Sequence, residues 1–136
     1  LDHQQRSVAL WAANSLVDRM LANNSDDALA QYANSVAGFT SCGDADAGSC
    51  AETDGAADSC TPTEMADHDV WGAFCSVDGG VDSNLIQFAA TMNCAGGCAA
   101  GSDITLTLSW LAKSVSSDLR MGAAAAAEQV SLVFRP

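Results

Sequence analysis

The sequence is poor in positive charge: Lys and Arg number 5 against 17 Asp and Glu, for a formal net charge of -12. No Lys/Arg cluster and no interleaving of basic with aromatic residues occurs, so a phosphate backbone is repelled and nucleic-acid binding is excluded as a function class. Aromatic residues make up only 6%, and the 49% hydrophobic share rests heavily on Ala, which predicts a thin core. No run of about 18 apolar residues is present, so no segment of this sequence spans a bilayer. A signal peptide with basic, apolar and small-residue parts is also missing. Imidazole chemistry has little to work with, since His occurs 2 times, as His3 and His68. At 136 residues the chain is expected to form one domain, residues 1–136, with room for a single core.

Cysteine, by contrast, is plentiful: Cys42, Cys50, Cys60, Cys75, Cys94 and Cys98 make an even 6. They sit among Gly, Asp, Ser and Ala without the paired CxxC spacing of a zinc site, which is the disulfide pattern of an exported protein. A periplasmic or extracellular location follows.

Leu1 to Asn24 reads as an amphipathic helix. Ala9, Leu10, Ala13, Leu16, Val17, Met20 and Leu21 recur at steps of three and four and make one apolar stripe. Val8 and Trp11 fall on nearly the opposite side, so this helix is expected to lie on its own sheet and to touch a neighbouring molecule through Val8 and Trp11. It opens with neither an initiator Met nor an N-cap, and the expectation is a helix whose preceding half is missing. Ala28, Leu29, Tyr32 and Val36 keep helical spacing, as a bent continuation or a short second helix ended by Gly38. Thr40 to Ser59 has almost no large apolar residue and reads as an irregular, disulfide-tethered loop. Thr61, Pro62 and Glu64 then write a helix start, with Thr61 as N-cap and Glu64 reaching back. If Pro62 to Trp71 is helical it is about 15 Å long, too long for Cys60 and Cys75 at its ends to come within the roughly 6 Å a disulfide needs. That pairing removed, about 12 of the 15 connectivities stay open.

From Gly79 the period changes to two. Leu85 to Met92, then Ile104, Leu106, Leu108 and Trp110, then Val130, Leu132 and Phe134, alternate with polar or outward positions as strands of an antiparallel sheet. Ser114 to Arg120 is a polar crossing, and the Ala-rich stretch at 122–129 is a surface helical turn or an ordered loop. The order predicts an α+β fold, the first helix laid across the sheet.

Few residues carry chemistry. Ser59 or Ser76 with His68 and Asp69 supplies the parts of a hydrolytic triad but no nucleophile elbow, so no enzyme activity and no cofactor are expected. Gly43 to Gly48, with Asp44 and Asp46, is similar to the front of a calcium loop; it lacks the third carboxylate and the closing Glu, and Asp54 and Asp58 serve only if the loop folds back. No metal site is expected.

Asp18-Arg19-Met20-Leu21-Ala22-Asn23 followed by Tyr32 resembles the D-R-M-x-A-N near the end of the first helix of type IV minor pilins of the PilV kind, the pilus modification proteins. Cys60 followed by Met65-Ala66, Asp67 and Trp71 resembles that family's next helix, and Ser102 to Leu111 its strand with a terminal Trp. The family's Leu-Pro-Gly turn is here Val77-Asp78-Gly79-Gly80. Val8 to Asn14 is also similar to the first helix of type II secretion minor pseudopilins. The resemblance implies a pilin-like fold with disulfide-braced loops and an apolar first half of the helix that anchors in the inner membrane and later packs in the filament core. It implies a minor pilin that primes assembly or joins the tip complex, with other pilin and minor pilin subunits as partners. The alternatives are a type II secretion minor pseudopilin and a secreted disulfide-rich ligand- or calcium-binding module.

Overall fold

The first helix, α1 (Asp2–Ala22), is followed by α2 (Asp26–Gly38), α3 (Pro62–Cys75), a short α4 (Val81–Asn84) and the strands β1 (Ile86–Cys94), β2 (Ile104–Leu111) and β3 (Ala127–Phe134). These elements belong to a computed structural model that describes residues 2–42, 50, 60–76, 80–112 and 127–136.

α2 and α3 each begin where their capping chemistry dictates. Ser25 caps α2, its hydroxyl oxygen accepting from the Ala28 amide at 3.2 Å, and Asp26 and Asp27 place negative charge on the dipole's positive end. The second region is thus a separate helix rather than a bent continuation, and it closes at Gly38. At α3, Thr61 Oγ1 accepts from the Glu64 amide at 3.2 Å while Glu64 Oε1 accepts from the Thr61 amide at 2.9 Å, a complete capping box. That amide bond favours the charged carboxylate and holds Glu64 below its ordinary pKa. α3 runs past Trp71 to Cys75, and a Cβ at Gly72 would lie 3.0 Å from Arg19 Nη1, so glycine there leaves room for the guanidinium.

The strands form an antiparallel meander in the order β1-β2-β3. Ile104, Leu106, Leu108 and Trp110 on the middle strand are buried, while Thr105, Thr107 and Ser109 point the other way, as period two requires. On that second face Thr107 and Ser131 share a hydrogen bond of 2.9 Å. α1 lies on the buried face and contributes Ala9, Ala12, Ala13, Leu16 and Met20 to the core. Its three alanines keep the interface thin, letting the helix approach the sheet closely. Phe39, Phe74 and Phe88 meet edge to face at 5.0 to 5.9 Å and close the far end. The fold is α+β and pilin-like: an N-terminal helix on an antiparallel sheet, with disulfides.

Two readings of the sequence are corrected. Leu10 and Leu21 are not in the inward stripe; they are 36% and 46% exposed, and Ala12 is buried instead. Helical residues advance about 100° each, which turns Leu10 and Leu21 roughly 100° or more from the centre of the buried face. Ala127 to Gln129 are strand, not helical turn or loop: β2 offers Leu111, Trp110 and Ser109 as their partners, and ladder pairing overrides the local helix preference. Residues 122–126, the crossing at 114–120, the segments 43–49 and 51–59 of the acidic loop and the turn at 77–79 lie outside the described residues.

Candidate assembly face and polar clasp

Away from the sheet, α1 presents Leu10, Trp11 and Leu21 to solvent, with Trp11 51% exposed. Val8 is partly buried and packs against the core, so the two residues read as a contact pair sit at different depths. Near the start of α1, Arg6 donates to Glu128 Oε1 at 2.7 Å and lies 5.8 Å from the centroid of the Trp110 ring, fixing the helix to the edge of the sheet.

The other end of α1 is held by the residues of its D-R-M-x-A-N segment. Met20 is in the core. Arg19 Nη1 donates to Asp69 Oδ1 at 3.2 Å, and Asn23 Nδ2 donates to the Pro62 carbonyl at 2.9 Å and to the Tyr32 hydroxyl at 3.3 Å. The Tyr32 hydroxyl in turn donates to Asp69 Oδ2. Tyr32 of α2 and Pro62 and Asp69 of α3 thus meet Arg19 of α1 and Asn23 just beyond it, so that all three helices are clasped by polar bonds at this end. Burial, then the bond to Asp69, pushes the Tyr32 phenol well above its ordinary pKa.

Asp69, placed with His68 in the hydrolytic grouping of the sequence, instead points into the protein. Its place on α3 three residues after Ala66 and four before Ala73, both buried, is the sequence signal for an inward carboxylate. Its oxygens are taken by Arg19 and Tyr32, and His68 Nδ1 is enclosed without a hydrogen-bond partner among the described residues. Neither Asp69 nor Ser76 is therefore joined to His68: Ser76 is exposed at the end of α3, while Ser59 and the side chain of His3 are outside the described residues. So are Asp44, Asp46, Asp54 and Asp58 of the calcium-loop reading.

All six cysteines are paired, as Cys42–Cys75, Cys50–Cys60 and Cys94–Cys98. Cys60 and Cys75, at the two ends of α3, bond to different partners. Beside the first bridge, Gly80 has φ of +84°, and a Cβ there would lie 2.7 Å from Cys42 Sγ, so only glycine fits. Cys94–Cys98 closes the turn after β1.

A helix laid on an antiparallel meander, its far end clasped and its connections bridged by cystines, defines a subunit of the type IV pilin class. Residues 1–71 match the Tt1218-like family, type IV pilin Tt1218, and the chain belongs to that family. The matched span takes in α1, α2 and α3 as far as Trp71, including the whole clasp. No curated protein and no solved structure matches the chain. The family match carries the broader part of the sequence resemblance, a type IV pilin; it is to the Tt1218-like group and not to the PilV type. A pilin is a structural protein that assembles with other pilin subunits into a pilus. No described helix is long and apolar enough to cross a membrane.

Proposed function

We propose that this chain is a minor pilin, a single domain over residues 1–136 that primes assembly of a type IV pilus or joins its tip complex. Its α1 packs against neighbouring pilin and minor pilin subunits through Trp11, with Leu10 next to it, Val8 at the border and Leu21 about 15 Å further along the helix. The observation that carries this is the exposure of Trp11, Leu10 and Leu21 on a helix whose opposite side is filled by Ala9, Ala13, Leu16 and Met20: large apolar groups left in water mark a contact surface. Before assembly, an apolar segment preceding Leu1 holds the subunit in the inner membrane, facing the periplasm. The cystine-bridged side of the domain is then free for contacts outside the fibre.

The test is complementation of a deletion strain with Trp11→Ala and, separately, Trp11→Ala with Leu21→Ser. A minor pilin loses piliation or tip incorporation while the periplasmic protein stays folded and abundant. Normal pili from both variants would refute the assignment of this face. Sequencing the gene ahead of the codon for Leu1 checks the anchor: a stretch of about 20 apolar residues is expected, and a cleaved secretory signal there would instead support a secreted module.

A further inference from the structure

Between the second half of α2 and α3 lies a cleft of about 320 Å³ open to solvent, lined by Gln31, Asn34, Ser35 and Ser41 on one side and by Asp67 and Trp71 on the other. Its centre is an oriented carboxylate. Asp67 Oδ1 accepts from Gln31 Nε2 at 2.7 Å and from the Ser35 hydroxyl, so two donors from α2 fix the group while Oδ2 accepts no hydrogen bond from the described residues. We propose that this cleft binds a neutral sugar ring, a site separate from the α1 face and independent of the assembly reading.

The chemistry of the lining selects that ligand. A volume at the low end of the small-molecule range suits one ring rather than a peptide. Trp71 supplies a broad apolar surface for the carbon-bound hydrogens of a pyranose. Asp67 Oδ2 is an acceptor for sugar hydroxyls, and hydrogen bonds to a charged oxygen are about twice as strong as neutral ones. Asn34, exposed at the rim, adds an amide that both donates and accepts. No cation lines the cleft and the chain carries a net charge of -12, which disfavours phosphate and carboxylate ligands. A cationic ligand would meet a single carboxylate, the remaining polar groups of the cleft being neutral.

The experiment is a nitrogen–proton NMR titration of the folded protein with glucose, galactose and N-acetylglucosamine, with tetramethylammonium chloride and inorganic phosphate as comparison probes. The indole N–H signal of Trp71, assigned with Trp71→Phe, should move saturably with at least one sugar, at a Kd near 1 mM or below, about -4 kcal/mol. Asn34→Ala and Asp67→Asn should each weaken that Kd by tenfold or more, and Asn34→Ala, at an exposed position, leaves the fold unchanged. The proposal is overturned if no sugar gives a saturable shift, if tetramethylammonium or phosphate saturates the signal in place of sugar, or if Asn34→Ala and Asp67→Asn both bind as the unaltered protein does.

Discussion

Tyr32 donates its hydroxyl proton to Asp69 across 37 positions of sequence, and both side chains are almost wholly withdrawn from water. Tyr32→Phe leaves Asp69 with Arg19 alone and should cost about 1–3 kcal/mol of stability. Asp69→Ala strips the acceptor from both Arg19 and Tyr32 and should cost about 3 kcal/mol or more. Urea unfolding of each variant checks the order; equal midpoints for Asp69→Ala and the unaltered protein would deny the clasp.

The same bond sets behaviour in alkali. The chain has 1 tyrosine, and its pKa is raised on folding above the ordinary 10.0. The neutral phenol's contribution is therefore complete below the unfolded pKa and is lost as pH climbs beyond it toward the folded value. Phenolate absorbance should stay silent as pH passes 10.0 and then rise together with loss of circular dichroism, in one transition.

In acid the relevant group is Glu64, whose pKa is lowered from 4.5 by the Thr61 amide. Its contribution is present above that ordinary value and fades as pH falls through the folded one. Thr61→Ala should cost about 1 kcal/mol through loss of the cap, but it keeps the amide that holds Glu64; the acid dependence is read instead from Glu64→Ala, whose difference in melting temperature from the unaltered protein should narrow in acid, as scanning calorimetry would show.

The bridges should differ in worth by loop length. Cys42–Cys75 spans 33 residues and Cys94–Cys98 spans 4, so the chain-entropy relation assigns about 3–4 kcal/mol to the first and about 2 kcal/mol to the second. Pairwise Ser replacement followed by thermal melting should rank them in that order.

Leucines on opposite sides of α1 provide a further contrast. Leu16 is fully buried, and Leu16→Ala should cost about 2–5 kcal/mol. Leu21→Ala, at a site 46% exposed, should stay within about 0.5 kcal/mol of the unaltered protein, with any larger effect confined to assembly.

The helix start at Thr61 and the alternation of β2 were legible in sequence because both are local: a capping box spans four residues, and period two is set by the pleat. The inward faces of Ala9, Ala13, Leu16 and Met20 were legible too. The clasp was not, since Asp69 in a run with Asp67 and His68 carries the same local signature as a solvated turn of helix, and only packing against Tyr32 and Arg19 distinguishes it. Leu10 and Leu21 were drawn inward because apolar character alone cannot tell a core position from an exposed one. The strand at 127–129 escaped for a related reason: its Ala-rich composition favours helix, and the partners that extend it, Ser109 to Leu111, are contributed from a distance.

The sulfur bridge from Cys42 to Cys75 also governs what happens when such a subunit is stretched. Tension entering along the backbone at Cys42 leaves at Cys75 through a covalent bond, bypassing α3 altogether. The bypassed span, 33 residues, withholds roughly 110 Å of contour length that an unbridged chain would yield. α3, carrying no force, keeps its shape and its hold on Arg19 while strands outside the bridge take the strain.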